Sequence, residues 1–190
     1  LHSFPTRRSS DLNAGHTVVS DGETWKLSLI PSGILRDNVT CVVTGGVVLD
    51  PASAIREIDM LESRGVNVTG KLRLSDRAHV VFPWHVIEDG ILNGSLSGGE
   101  SIGTTGRGIG PCYRDKVGRS LAIRLGDLYH SDFRSTFNHI IEVKRRFLEA
   151  SQPAGSSVID LDGDKIFDQY QGYAERLRDY VGETTNYLLD

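Results

Sequence analysis

Residues 39–65 read VTCVVTGGVVLDPASAIREIDMLESRG, and this stretch decides the fold class. Val39–Val43 is a short β-branched run of the kind found in buried strands. Thr44–Gly46 interrupts it, and a second apolar run follows at Val47–Leu49. The first half of the stretch therefore predicts two short strands separated by a glycine-containing loop.

The second half of the stretch predicts a helix. Asp50 followed by Pro51 is typical of a helix start, because aspartate caps the first turn and proline is tolerated there. The helix should run to about Arg64 and stop at Gly65, since glycine favours helix ends. Its apolar face at helical spacing consists of Ala54, Ile58 and Leu61.

On both sides of this stretch, strand-like and helix-like segments alternate along the chain. Thr17–Ser20 and Thr24–Ile30 are β-type runs joined at Asp21-Gly22, a favoured hairpin turn. Further strands are expected at Lys71–Ser75 and Ala122–Leu125. Helical patterns cover Pro83–Leu92, Ser131–Ala150 and Ile166–Leu189, and a turn or helix is expected over Pro111–Arg119. Strands that alternate with helices predict an α/β fold.

Composition excludes several classes of protein. The chain has 190 residues and a formal net charge of −4, which disfavours a general nucleic-acid binder. No apolar run approaches the roughly 18 residues of a membrane span. Cys41 and Cys112 fit no metal-ligand or C-x-x-C spacing, which favours a reduced, cytoplasmic protein. Glycine is over-represented, with 21 residues, and clusters between Gly98 and Gly126.

Residues 1–12, LHSFPTRRSSDL, are polar and unpatterned, unlike the rest of the chain. They contain no apolar stretch and so do not form a secretory signal. We interpret residues 1–12 as a foreign or disordered tail and residues 13–190 as the domain proper.

The first segment that can carry chemistry is Asn13–Thr17, with the sequence NAGHT, placed just before a predicted strand. Gly15 would let a ligand approach the backbone closely, and its carbonyl oxygen can reach a metal ion. His16 can donate or accept a proton near neutral pH. A solvated loop histidine remains the alternative.

The second segment is Ile102–Pro111, IGTTGRGIGP. Its glycines, two threonine hydroxyls and one guanidinium suit a loop that holds an anion through backbone amides and side-chain donors. It fits neither a Walker A loop nor a G-x-G-x-x-G dinucleotide loop. The pattern favours a phosphate site over a flexible surface loop.

The third segment is Gly108–Arg119, in which Lys116 and Arg119 should share a helix face beside the glycine-rich loop. Arg114-Asp115 is interpreted as a solvated pair. The histidines outside the first segment, including His79 and His85, are interpreted as structural or solvated.

Together these segments resemble the adenylosuccinate synthetase family. NAGHTVV, LIPSGIL, GGVVLDP, LSDRAHVV and IGTTGRGIGP occur in the family's order, and GIGPCYRDKVGR fits its lysine signature. The resemblance runs from Asn13 to about Leu128 and continues more loosely beyond. It implies a P-loop-NTPase-like synthetase fold, with a mixed, mainly parallel central sheet flanked by helices.

The family joins IMP and L-aspartate to adenylosuccinate in AMP biosynthesis. GTP phosphorylates the 6-oxygen of IMP, aspartate then displaces phosphate, and Mg²⁺ assists. The resemblance therefore implies IMP, GTP and L-aspartate as partners, Mg²⁺ as cofactor, and neither nucleic acid nor membrane.

The resemblance also implies roles for individual residues. Two positions match catalytic residues: His16 matches the general acid, and Lys116 matches the signature lysine. Gly15, His16 and Thr17 border the GTP phosphates, and the Gly15 carbonyl matches a Mg²⁺ ligand. The positions that match IMP contacts are Asn13, Ala14, Gly15, His16, Thr105 and Arg119. Arg119 matches an arginine that reaches IMP across a homodimer interface.

The chain departs from the family in what it does not contain. The family's strand and W-G-D-E-G-K-G loop, which supplies the catalytic base, have no counterpart here, and neither do its guanine-recognition and aspartate-binding segments. We therefore expect a partial domain, truncated at both ends and inactive alone. The alternatives are a non-catalytic IMP-binding or dimerisation module, and a general phosphate-loop protein outside the family.

Overall fold

A computed structural model describes residues 15–20, 22–96, 106–152 and 160–189. The strands in these ranges are β1 (His16–Ser20), β2 (Glu23–Leu27), β3 (Cys41–Val43), β4 (Val48–Leu49), β5 (Leu72–Ser75), β6 (His79–Val80) and β7 (Val181–Gly182). The helices are α1 (Pro51–Ser63), α2 (Pro83–Leu96), α3 (Ile109–Gly118), α4 (Phe133–Ser151), α5 (Gly163–Leu177) and α6 (Thr185–Leu189). Short 3₁₀ turns lie at Ser32–Leu35, Gly126–Tyr129 and Arg178–Tyr180.

Most of the strand pairing is parallel. β3, β5 and β7 form a parallel sheet in the order β3-β5-β7, and β4 pairs with β6, also in parallel. β1 and β2 form a separate antiparallel hairpin, in which His16 lies opposite Leu27. The predicted α/β fold with mainly parallel strands and flanking helices is confirmed. None of the described helices is long and apolar enough to cross a lipid bilayer.

Helix α1 forms as the sequence predicts. The Asp50 carboxylate accepts hydrogen bonds from the Ala52 amide at 3.1 Å and from the Ser53 hydroxyl at 2.5 Å, which caps the first turn. Pro51 occupies that turn, and Gly65 follows the helix with φ of +83°. The face buried against the core consists of Pro51, Ala54, Ile58 and Leu61.

An aromatic cluster joins the start of α2 to α4 and α5. Phe82 is stacked between Trp84 and Tyr170, with ring centroids 4.3 and 4.1 Å away. Phe137 of α4 closes the cluster at 6.0 Å from Phe82. The Tyr170 hydroxyl donates to the Val81 carbonyl at 2.7 Å, so the polar group of this buried ring is satisfied.

The C-terminal region differs from the single long helix predicted over Ile166–Leu189. Helix α5 ends at Leu177, and the chain continues through a 3₁₀ turn into β7 before α6 begins at Thr185. Val181 and Gly182 pair in parallel with Leu74 and Ser75 of β5. The segment has the apolar spacing of a helix, but its middle residues form a strand instead. Pairing there satisfies backbone groups at the edge of β5.

Two other boundaries also differ. The strand predicted at Ala122–Leu125 reduces to one antiparallel bridge between Arg124 and His79, because a 3₁₀ turn begins at Gly126. Helix α3 begins at Ile109, two residues before the predicted start. Residues 97–105 of the glycine-rich segment and residues 153–157 of the predicted linker lie outside the described residues.

Candidate functional site

Lys116, predicted to be catalytic, lies in the last turn of α3. Its ammonium donates to the carbonyl oxygens of Gly45, at 3.0 Å, and Gly46. These two glycines follow the carboxyl end of β3, the edge of a parallel sheet where ligands of α/β proteins bind. Burial lowers the pKa of Lys116. The helix and the strand-end loop are therefore tied together by this one cation.

Arg119 lies just beyond α3 rather than on the helix face shared with Lys116 that the spacing predicts. Its φ of +64° places it in the left-handed region, while its amide donates to the Asp115 carbonyl at 2.8 Å. A non-glycine residue in this region costs about 1–3 kcal/mol and persists only where the surroundings impose it. In this backbone conformation Arg119 is exposed at the surface.

Gly15, His16 and Thr17 begin the β1–β2 hairpin. His16 is half-buried, whereas Gly15 and Thr17 are exposed. A Cβ on Gly15 would lie 3.8 Å from the Ser28 hydroxyl, so the backbone of Gly15 runs close to the end of β2. Asn13, Ala14 and Thr105, the other predicted IMP contacts, lie outside the described residues.

Glu57 of α1 fixes the chain next to Gly15. Its carboxylate accepts the backbone amides of Ser28, Leu29 and Ile30 at 2.9–3.1 Å. A carboxylate that accepts several amide hydrogen bonds is a strong anchor, because each bond is charge-assisted. Helix α1 thus holds the loop after β2 in place. This loop includes Ser28, which lies next to Gly15.

A buried charge network links α2, α3 and α4. Lys144 of α4 donates to Glu88 at 2.8 Å and to Asp115 at 2.5 Å, and all three side chains are almost fully buried. Arg114, which is partly exposed, pairs with the second oxygen of Glu88. Two carboxylates thus face two cations. The interpretation of Arg114-Asp115 as a solvated pair is wrong for Asp115, which lies inside the protein.

His85 completes this network as a neutral ring. Its Nδ1 accepts the Phe82 amide at 2.9 Å, so the proton of the neutral imidazole is on Nε2, which lies 2.9 Å from Asp115 Oδ2. Burial lowers the pKa of His85. Burial alone would raise the pKa of Asp115, but hydrogen bonds from His85 and Lys144 hold it below its ordinary value.

The stability of the fold should fall as the pH drops from about 6.5 to 4. Burial and the nearby charges of Lys116 and Arg124 lower the pKa of His79 to about 4, and burial also lowers that of His85. Below pH 6.5 the unfolded chain binds protons that the folded chain excludes. His79 then removes up to about 1.4 kcal/mol of unfolding free energy per pH unit, and His85 acts in the same direction.

Urea unfolding at pH 7.0, 6.0 and 5.0 measures this dependence. His79→Gln should flatten the slope, whereas His139→Gln, at an exposed position on α4, should leave it unchanged. Equal slopes for the wild-type chain and His79→Gln would contradict the assignment.

A cleft of about 780 Å³ opens beside these elements. It is bounded by the end of β2, the first turns of α1 and α2, one face of α5 and the turn that precedes α3. Ser28, the neighbour of Gly15, and Arg107, from the glycine-rich segment, both line it. The cleft therefore adjoins all three segments that the sequence singles out, the third through Ile109, while Lys116 and Arg119 lie outside its lining.

Comparison with known proteins shows the family. Residues 4–190 match the family model described as adenylosuccinate synthetase. The chain belongs to the adenylosuccinate synthetase family. This confirms the predicted family and agrees with the segments that the chain shares with it.

Three adenylosuccinate synthetases illustrate the extent of the match. The protein from Caldanaerobacter subterraneus subsp. tengcongensis is 46% identical over 180 residues, covering 94% of this chain and 41% of its own length. That from Lysinibacillus sphaericus is 42% identical over 179 residues, covering 94% and 40%. The structure of fully ligated adenylosuccinate synthetase from Plasmodium falciparum superposes with a TM-score of 0.79 at 33% identity, covering 94% of this chain and 40% of that one. The chain thus spans about two fifths of the length of these relatives.

Sequence reasoning missed the polar residues that hold the adenylosuccinate synthetase segments in place. His85 and Asp89 are four residues apart and so lie on one face of α2, a spacing visible in the sequence. The partners of Glu57, Asp115 and Lys144 cannot be read from local spacing, because they are distant in sequence. A polar side chain at a core-facing position is the sign that could have identified them.

Proposed function

We propose that this protein is part of a GTP-dependent ligase that joins IMP and L-aspartate to form adenylosuccinate, and that this chain supplies the IMP-facing residues. The observation that carries the proposal is the match of 94% of the chain to proteins named adenylosuccinate synthetase at 42–46% identity. A match that reflected only a phosphate-loop motif would cover that loop and not the strands and helices around it.

The proposed residue roles follow the family's order. His16 acts as general acid towards the 6-oxygen of IMP and lies with Gly15 and Thr17 beside the GTP phosphates, while Asn13, Ala14 and Thr105 contact IMP. Phosphoryl transfer depends mainly on positioning and charge neutralisation, so a half-buried histidine at the start of a strand is suited to this reaction. Lys116 fixes the loop after β3 through the carbonyls of Gly45 and Gly46.

Arg119 is proposed to reach IMP in a partner subunit, which makes the protein a homodimer with shared sites. Two observations support this role. The side chain is exposed, and the backbone of Arg119 adopts a positive φ directly after the last turn of α3. A guanidinium presented in this way matches phosphate oxygens in a bidentate geometry.

Mg²⁺ is proposed to bind with the nucleotide rather than in a site built by this part of the chain. Within residues 15–20, 22–96, 106–152 and 160–189, no three His, Cys, Asp or Glu side chains group so as to hold a metal ion. The Gly15 carbonyl offers one oxygen ligand. Mg²⁺ commonly completes its octahedron with phosphate oxygens and water, so these residues fit it only in part.

Titration of the chain with IMP by calorimetry tests the proposal. We expect saturable binding that weakens about 10- to 100-fold in Arg119→Ala, because a charge-assisted contact with phosphate is lost. Arg146→Ala is the matched control, since Arg146 lies on the exposed face of α4 with a side chain that is 76% accessible. Binding that is absent, or equally affected by both substitutions, would contradict the proposal.

A further inference from the structure

The turn that leads into α3 has an unusual backbone. Gly106 and Gly108 both adopt positive φ, at +63° and +73°, and they flank Arg107. A Cβ on Gly108 would lie 2.7 Å from the backbone of His85 and Val86, a distance that real Cβ atoms do not reach. Position 108 therefore requires glycine for two reasons, the positive φ and the close approach to α2.

Asp89 holds this turn from the α2 side. Its side chain is buried, and Oδ2 accepts the Gly108 amide at 3.0 Å. The amide is otherwise an unpaired group at the helix N-terminus, since Gly108 caps α3 without any side-chain hydrogen bond of its own. A buried carboxylate stays in place because it would lose this charge-assisted bond on moving.

The helix that carries Asp89 is itself immobilised against α3. His85, one turn earlier, lies against Asp115 of α3, and the adjacent Glu88 pairs with Arg114 of α3 and Lys144 of α4. These ties are buried or partly buried, and they come from the two residues of α2 that lie four positions and one position before Asp89. The position of its carboxylate relative to α3 is therefore set before any ligand arrives.

Arg107 is the residue whose position the turn controls. It lies between the two left-handed glycines and lines the 780 Å³ cleft together with Gly106 and Ile109. Asp50 and Glu57, the acidic residues in the same lining, already accept hydrogen bonds from backbone amides. Arg107 is exposed and thus lines a cleft whose carboxylates are bonded to other groups.

We propose that Asp89 is a positioning residue, whose carboxylate holds the Gly106–Gly108 turn in the conformation that presents Arg107 to the cleft for an anionic ligand. Asp89 acts through Gly108 and does not touch the ligand. The inference rests on the proposed function for its ligand, a nucleoside monophosphate such as IMP, but its structural part can be tested without it.

Amide hydrogen exchange and IMP titration of Asp89→Asn test the inference. We expect exchange in residues 106–110 to accelerate about tenfold relative to the amides of α1, and IMP to bind about tenfold more weakly. Asp168→Asn, at an exposed position of α5, is the control and should change neither. Exchange that is unchanged at residues 106–110, or faster everywhere by the same factor, would overturn the positioning role.

A second pair of variants approaches the same contact from the other side. Gly108→Ala should reproduce both effects of Asp89→Asn, whereas Gly110→Ala should not, because a Cβ there meets nothing within 4 Å. Equal behaviour of the two alanine variants would overturn the inference. If the wild-type chain does not bind IMP, the proposed function fails, while the exchange comparison still decides whether Asp89 holds the turn.

Discussion

Replacing Lys144 with methionine should lower the free energy of unfolding by about 3–5 kcal/mol, because it leaves buried carboxylates without their cation. Lys144 is 1% exposed and bonds both Glu88, which is fully buried, and Asp115. Arg114 would still pair with Glu88, but Asp115 would keep only the neutral donor His85 and a long ion pair with Arg114 at 3.9 Å. For a chain of this length, such a loss lowers Tm by roughly 10 °C.

Thermal and urea unfolding of Lys144→Met measure the effect, with Lys165→Met on the exposed side of α5 as control. The double variant Lys144→Met, Asp115→Asn should recover part of the loss, since an asparagine oxygen still accepts the His85 proton without carrying charge. A loss below about 1 kcal/mol for Lys144→Met would show that the network contributes little to stability.

Phe82→Ala should cost about 3–5 kcal/mol, because it removes the central ring of the aromatic cluster and leaves a cavity. Phe82 is 1% exposed and contacts Trp84, Tyr170 and Phe137, so it joins three helices. Its neighbours are rigid rings that can collapse only partially into the space. The expected effect therefore lies towards the upper end of the range.

Phe147→Ala on α4 is the matched control, since that ring is 42% exposed. Denaturant unfolding should show a small change for Phe147→Ala and a large decrease in the midpoint for Phe82→Ala at a similar slope. A smaller cost for Phe82→Ala than for Phe147→Ala would contradict the assignment of this cluster to the core.

The fold was predictable where local signals agree with tertiary packing. The Asp50 cap, the proline after it and the apolar spacing of α1 all indicate the same helix, and the structure contains it. The hairpin at Gly22 likewise follows from its turn residues. The long helix predicted over Ile166–Leu189 failed because Val181 and Gly182 find partners on β5, more than 100 residues earlier. Periodicity within a segment does not report such a partner.

The segments that form the candidate site could be predicted from the sequence, but the residues that hold them in place could not. The glycine-rich segment and the end of α3 were recognisable because their residue types are suited to anions. Asp89, Glu57 and Lys144 act through hydrogen bonds to distant parts of the chain. Their sequence neighbours do not reveal these partners, so only the folded arrangement identifies them.

The central claim, that this chain carries the IMP-binding part of an adenylosuccinate synthetase, is tested most directly by its ligand preference. Calorimetric titration should be run in parallel with IMP, a pyrimidine nucleoside monophosphate and inorganic phosphate. We expect saturable binding of IMP, with the other two ligands bound at least about tenfold more weakly, a difference of about 1.4 kcal/mol. Equal responses to all three would indicate a general phosphate-binding loop and contradict the claim.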